Sequence, residues 1–551
     1  MKIVLAEKVS ASTLAVLQAE PGWQVVSADQ IKSSLINELE DADALVVRSA
    51  VQVDAALLEH APKLRVIGRA GVGVDNIDTE AATRKGIVVM NTPGANAVAV
   101  AELTLGLMLA MGRKINAANT SMHAGRWDKK SLQGTELRGK TLGIVGLGRI
   151  GLEVARRARA FGMDVLGYDP FIAPVIAREN EVTLVSIDDI FKTSDYLTLH
   201  VGLTSQTEGL INKQSIAIMK PGIHIVNCAR GELIVEEALA EALASGKVAG
   251  AALDVFHQEP LKQSPFFALE NCLLSPHIGG ATDEAQEAIG IQLARQVRDY
   301  LKLGVVQNAV NVPSLSHEEY LELAPYIEMA GRLGQFLSHA TPGNLENIQI
   351  TYSGRLAQGK TDLIRNAAIA GIFSGSDSSD SAAGKANVAN RINAATIAAE
   401  RGIRLQEDKK ENVTGGAGSV LKLTLHSSEG DAAGSATVLH GTSPRLLTFD
   451  GIDIEAPLHG SLVVIRNHDV PGVIGRIGTI LGEQGLNIAN FALGRGGDAA
   501  RSGRAQRVPQ GQALAVVQID SQSSKQANSA VEALRKIEAI ASARFVELGA
   551  L

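Results

Sequence analysis

The sequence predicts an α/β protein: two doubly wound parallel sheets, the second inserted in the first, followed by an α+β domain and a terminal ferredoxin-like βαββαβ unit. Three observations carry this reading. The 551 residues exceed what one core accommodates, at roughly 100–200 residues per domain. Short β-branched runs alternate with stretches of helical periodicity through the amino-terminal half, the pattern of strands joined by crossover helices. Apolar residues at 45% and charged residues at 20% match ordinary globular usage, which excludes a disordered or fibrous chain.

In chain order, Ile3–Leu5, Gln24–Val26, Ala44–Val47, Arg65–Ile67 and Ile87–Val89 supply the first sheet. Asn96 to Asn119 carries one apolar helical pattern that bridges to a second alternation. Its strands are Thr141–Val145, Asp164–Gly167, Tyr196–Leu199, Ile223–Val226, Ala249–Leu253 and Cys272–Leu274. A helix from Ala285 to Leu301 would return the chain to the first domain, which is then discontinuous: 1–97 and 287–312 around 98–286. Turn-rich stretches at Phe373–Ala382 and Thr414–Ser419 punctuate a mixed domain over 317–455. From Gly460 the order is strand (461–465), helix (473–484), strand (486–493), strand (513–519), helix (524–540) and strand (542–547). That is a split βαβ unit over 459–551.

The 52 basic and 59 acidic residues give a net charge of -7, so neither nucleic acid nor an anionic membrane is an expected partner. Val98 to Met111 is the longest apolar run, and it contains Glu102. It is too short to cross about 30 Å of hydrocarbon. Cys228 and Cys272 are the only cysteines, which suits a reducing cytoplasm and offers neither a disulfide framework nor a cysteine metal site. No metal is expected.

Thr141–Val145 runs into Gly146-Leu-Gly148-Arg149-Ile150-Gly151 and then a helical stretch. A glycine triplet between strand and helix permits a tight turn and lets a pyrophosphate approach the helix N-terminus. Asp169 closes the next strand, where a carboxylate can accept from ribose hydroxyls and would repel a 2′-phosphate. NAD is therefore the expected cofactor. Arg230, Glu259 and His277 each follow a predicted strand, at the sheet edge where ligands of open α/β folds bind. Interconverting an alcohol and a ketone needs a group that takes or gives the hydroxyl proton and a cation that orients the carbonyl and carboxylate. His277 suits the first role and Arg230 the second, with Glu259 beside the imidazole. Singly, each has a plainer account: a loop histidine, a helix-capping arginine, a surface carboxylate. Their joint pattern carries the inference.

These motifs resemble the D-isomer-specific 2-hydroxyacid dehydrogenases, through the glycine loop, Asn227-Cys-Ala-Arg230-Gly, Leu253-Asp-Val-Phe-His-Gln-Glu259-Pro and Ser275-Pro-His277-Ile-Gly-Gly-Ala-Thr. The resemblance continues through Val47–Ala50, Gly68–Ile77 and Met90–Pro93 and covers nearly the whole chain. It implies a Rossmann NAD domain inserted in a flavodoxin-like substrate domain, then an intervening domain and an ACT domain. It implies Arg230, Glu259 and His277 as the catalytic set, and Arg149, Ile150, Asp169, Cys228, Ala229, Asp254 and Gly280 along the NAD site.

The reaction so implied is oxidation of D-3-phosphoglycerate to 3-phosphohydroxypyruvate, the entry to serine synthesis, by a homodimer or homotetramer. Guanidinium groups bind carboxylate and phosphate through paired donors. Arg48 and Arg69 are the candidates, with Ser49 and the Gly71–Gly73 backbone nearby. Trp127 would lie at a dimer interface or simply pack. After His200, relatives usually read Pro-Leu where this chain has Val201-Gly202-Leu203, so Val201 is left outside the cofactor set. In the last domain Asp469 and Asn487 match a motif that holds L-serine between subunits, or the module only dimerises. The loop Gly494–Gln512, with Arg495, Arg501, Arg504 and Arg507 against Asp498, reads as a solvated hairpin connection. Two other functions compete: a dehydrogenase of an unphosphorylated 2-hydroxy acid, and an NAD-sensing regulator. Arg48, Arg69 and the extra domains weigh against the first, the intact Arg230, Glu259 and His277 set against the second.

Overall fold

The computed structural model describes residues 1–31, 34–313, 317–341, 343–376, 389–411, 418–496, 511–520 and 523–549. Strands β1 (Lys2–Leu5), β2 (Gln24–Val26), β3 (Ala44–Val47), β4 (Val66–Arg69) and β5 (Val88–Met90) form a parallel sheet in the order 2-1-3-4-5. This is the flavodoxin-like arrangement the sequence predicts. The helix Asp283–Leu303 lays Ile289, Leu293 and Val297 onto Val46, Val66 and Val88 of this sheet. Its approach is close, because a methyl group at Gly290 would stand 1.9 Å from Thr13 Oγ1. The chain therefore does return to its first sheet.

The second sheet comprises β6 (Thr141–Val145), β7 (Asp164–Tyr168), β8 (Thr183–Leu184), β9 (Tyr196–Leu199), β10 (Ile223–Asn227), β11 (Val248–Leu253) and β12 (Cys272–Leu274). Its order, β12-β11-β10-β9-β6-β7-β8, is parallel throughout and reverses direction between β6 and β9. Such a switch point opens a crevice at the carboxyl ends of the strands. The two-residue β8 has no strand period of its own and was not legible in the sequence.

The third sheet is mixed: β13 (Leu345–Gly354), β14 (Arg404–Lys410), β15 (Ser419–Ser427), β16 (Gly430–Leu439), β17 (Ser443–Phe449) and β18 (Ile452–Pro457), in the order 14-13-15-16-17-18. Helices His317–Ser338 and Asp362–Ser376 supply Leu333, Phe336, Ile364 and Ile369 to its core. Asn390 and Asn393 donate to the carbonyls of Gly86 and Arg84 at 3.0 and 3.2 Å, fixing this domain to the first. The last sheet is antiparallel, β20 (Asn487–Arg495), β21 (Gln512–Asp520), β19 (Ser461–His468) and β22 (Ile540–Glu547), as expected for a ferredoxin-like unit. Leu462, Val464, Leu514 and Val516 pack it against Phe449 and Ile452 of the third sheet.

Three element expectations change. The single helix over 96–119 is two, Ala97–Gly112 and Ile115–His123, because Lys114 adopts a left-handed φ of 52° between them. The last helix stops at Leu534 instead of 540, and Ile540 instead pairs with Asn467 at the start of β22. Ile537 and Ile540 continue the helical spacing of Leu534, so periodicity alone carried the helix too far. Phe373–Ser376 is the end of a helix rather than a turn. The remainder of that stretch, residues 412–417, and Asp498, Arg501, Arg504 and Arg507 lie outside the described residues. No helix among the described residues is long and apolar enough to cross a membrane.

Candidate active site

A cleft of about 1290 Å³ lies between the first two sheets and is lined by Arg48, Ser49, Arg69, Gly71, Arg230, Glu259 and His277. The sequence places these residues in five separate motifs, and the fold brings them to one cavity. His277 follows β12 and Glu259 follows β11, and His277 Nδ1 lies 2.7 Å from Glu259 Oε2. Burial works to raise the Glu259 pKa, yet hydrogen bonds with His277 and the Phe256 N–H, with the Arg230 charge, hold it below the usual range. The carboxylate is thus charged where it meets the ring.

His277 adopts a left-handed φ of 52°, uncommon for a residue with a side chain and often found at functional sites. Asp254, fully buried at the end of β11, holds it there. Its backbone carbonyl accepts from the His277 N–H at 2.8 Å. Its carboxylate accepts from Ser275 Oγ at 2.6 Å, Ile278 N–H at 2.9 Å and Gly279 N–H at 2.8 Å. Asp254, expected along the cofactor site, lines the cleft and spends these hydrogen bonds on the histidine loop.

Two glycines seat two arginines. A methyl group at Gly71 would stand 1.5 Å from Arg69 Nη1, and one at Gly73 would stand 2.0 Å from Arg230 Nη2. Burial first, and then the Arg230 charge, push the Arg69 pKa down from its ordinary value. The negative charges of Asp75 and Glu7 oppose that shift. Arg230 also donates from Nη1 to the Ala229 carbonyl at 2.7 Å and lies 3.3 Å from Asp75 through Nε. Arg48 is held through its backbone: Glu7 accepts from the N–H groups of Arg48, Ala50 and Val51, and Asn76 donates to the Arg48 and Val51 carbonyls. Sequence reasoning missed Glu7, Asp75 and Asn76. Glu7 directly follows β1 at the ligand-binding sheet edge, and the other two lie inside the quoted Gly68–Ile77 motif, so position alone could have raised them.

The glycine loop fits a dinucleotide. Gly146 has φ 94°, a methyl group at Gly148 would meet nothing within 4 Å, and one at Gly151 would stand 2.0 Å from the Gly146 carbonyl oxygen. Turn, open approach and helix–strand packing are the three demands such a loop makes. Asp169 accepts from the Leu147 and Phe171 N–H groups, each at 2.8 Å, which fixes it beside the loop. Arg149 reaches over Gly94 to the Pro93 carbonyl, in the segment after β5. Ile150, Cys228, Ala229 and Gly280 line the cleft, and so does Val201, which the sequence reading had left out. Burial pushes the Cys228 thiol up to about 12 and the His200 imidazole down to about 3, so both are neutral. The substitution Gly151→Ala is expected to weaken NAD binding by at least tenfold, read by calorimetric titration. The added methyl must displace either the loop or the helix, and a helix N-terminus binds phosphate only when aimed at it.

The two serine-motif residues do not meet within one chain. Asn487 stands opposite Asp520, and His468, next to Asp469, stands opposite Gln512 at the other end of β21. Gln512 and Asp520 are the two ends of the nine-residue β21, roughly 26 Å apart. Asp469 pairs with Arg495 at 3.3 Å, and Asn487 donates to Asp520 at 2.8 Å. Trp127 is 79% exposed.

Residues 105–279 match the family model of the D-isomer specific 2-hydroxyacid dehydrogenase NAD binding domain, and residues 322–450 that of the D-3-phosphoglycerate dehydrogenase intervening domain. The chain is 42% identical over 496 residues to D-3-phosphoglycerate dehydrogenase of Methanocaldococcus jannaschii, covering 90% of this chain and 92% of that one. It is 38% identical over 549 residues to the enzyme of the same name from Archaeoglobus fulgidus, covering 100% of both. Among solved structures, D-lactate dehydrogenase of Aquifex aeolicus, complexed with NAD and lactic acid, is 28% identical and superposes with a TM-score of 0.51. That likeness spans 57% of this chain and 100% of the other. With matches of this identity over nearly the whole of both chains, the chain belongs to the D-3-phosphoglycerate dehydrogenases of the D-isomer specific 2-hydroxyacid dehydrogenase family.

Proposed function

We propose that this chain catalyses the NAD-dependent oxidation of D-3-phosphoglycerate to 3-phosphohydroxypyruvate, the first step of L-serine synthesis, in the cytoplasm. The observation that carries it is a hydrogen-bonded His277–Glu259 pair facing Arg48, Arg69 and Arg230 in one cleft. Arg230 binds the substrate carboxylate and orients the C2 oxygen. Arg48, Arg69, Ser49 and the Gly71 backbone take the phosphate, whose oxygens match guanidinium donors. Glu259 holds the imidazole through Nδ1, which leaves Nε2 to accept the hydroxyl proton, and its negative charge stabilises the imidazolium that forms. NAD, when bound, supplies the hydride acceptor. Gly146, Gly148 and Gly151 would admit its pyrophosphate, Asp169 would meet its adenosine ribose, and Arg149, Ile150, Cys228, Ala229, Asp254 and Gly280 would line its site. The Asp169 carboxylate, already tied to the loop, disfavours a 2′-phosphate and so NADP.

The domain division that supports this function is 1–97 with 287–312 for substrate, 98–286 for NAD, 317–455 intervening and 459–551 ACT. Because Asp469 and Asn487 lie at opposite ends of one sheet, L-serine touching both would bridge two copies, which fits a homodimer or homotetramer. The deciding assay follows NADH absorbance with D-3-phosphoglycerate, D-glycerate and D-lactate, each with and without L-serine. Turnover confined to the phosphorylated acid is the expected result, with suppression by serine if the ACT sheet is regulatory. Reaction of only an unphosphorylated acid would remove Arg48 and Arg69 from their role.

A further inference from the structure

The Arg230 guanidinium does not wait in the cleft without a counter-ion. Asp75, on the loop after β4, lies 3.3 Å from Arg230 Nε, so a carboxylate from the substrate domain crosses the cleft to an arginine of the NAD domain. The contact is built: Arg230 rests where a Gly73 side chain would be, and a methyl group there would also meet Asp75 Oδ2 at 2.7 Å. Both residues line the cleft, and the Asp75 side chain is 70% exposed. Among the described residues no other hydrogen bond or ion pair anchors that side chain as Glu7 and Asn76 anchor the neighbouring loop. Asp75 also opposes the Arg230 charge at the buried Arg69.

We propose that Asp75 is a displaceable counter-ion, a carboxylate that pairs with Arg230 until it is exchanged for the carboxylate of the incoming acid. This rests on the reading of Arg230 as the carboxylate-binding residue. The exchange is one carboxylate for another, so Arg230 keeps one carboxylate partner in both states. Asp75 thereby sets the affinity of the cleft for carboxylates: every acid that reaches Arg230 must displace it, at the same cost. Asp75 tunes carboxylate affinity and contacts no reacting atom.

The test compares wild type with Asp75→Asn, Asp75→Ser and Asp75→Glu. Removing an exposed competitor of this kind is expected to lower KM for D-3-phosphoglycerate about two- to five-fold, with kcat retained. D-Glycerate, which reaches Arg230 through the same carboxylate, gains by a similar factor, and Asp75→Glu restores the wild-type KM. Calorimetric titration with oxalate, independent of turnover, is expected to tighten by a similar factor in Asp75→Asn and Asp75→Ser, less so at high salt. An unchanged or raised KM, or an oxalate affinity that does not rise in either variant, overturns the proposal. If the wild-type enzyme fails to oxidise D-3-phosphoglycerate while the oxalate effect appears, the substrate reading falls and the counter-ion stands.

Discussion

Replacing His277 with alanine is expected to lower kcat by about 10²–10⁴-fold, the usual contribution of a positioned general base, while leaving NAD affinity unchanged. The two effects separate because the groups that fit the pyrophosphate and the adenosine ribose, from Gly146 to Gly151 and Asp169, follow β6 and β7, whereas His277 follows β12 at an edge of the sheet, and of the cofactor-lining residues only Gly280 shares its loop. Nδ1 is committed to Glu259 at 2.7 Å, and the alanine variant leaves that charged carboxylate facing the substrate hydroxyl without the ring between them. NADH absorbance gives the rate, and a calorimetric NAD titration gives the affinity. Turnover near that of the wild type would remove His277 as the base. A loss of NAD binding equal to the loss of rate would make it a cofactor residue instead.

The parallel sheets were legible because each strand is a short β-branched run between helical stretches, and buried strands need no more than that. The glycine loop was legible for a stronger reason: each glycine answers a different demand, seen in the turn at Gly146, the open space over Gly148 and the packing at Gly151. What the sequence could not show was which polar groups the loops would bring together. Asp254 carries the same one-dimensional signal as any acid after a strand, and only three-dimensional closure reveals that it serves Ser275, Ile278 and Gly279. Asp75 and Arg230 are far apart in the chain and meet because the first two domains face each other. The broken helix at Lys114 and the short β8 were missed for a local reason, since neither interrupts the apolar spacing that periodicity reads.

The conservative variant Asp254→Asn should expose that hidden role. The carboxylate of Asp254 presents acceptors only, one oxygen to Ser275 Oγ and Ile278 N–H, the other to Gly279 N–H. An amide of the same shape must turn its NH2 group toward one of these backbone donors, whichever way it flips. A fully buried donor facing another donor keeps its desolvation cost, roughly 1–3 kcal/mol for each unsatisfied group, and the loop relieves it by moving. His277 is held in its left-handed conformation by this same loop, so the movement reaches the ring. A displacement of about 1 Å from a reacting geometry costs on the order of a hundredfold in rate. Asp254→Asn is therefore expected to lose one to two decades of kcat, and to unfold at a lower temperature than wild type. Both losses should exceed those of Ser275→Ala, which removes one donor and leaves the carboxylate to the two amides. If Asp254→Asn instead raised only the Kd for NAD, with kcat at saturation intact, the residue would belong to the cofactor site alone, and the backbone bonds to Asp254 would hold His277 without its side chain.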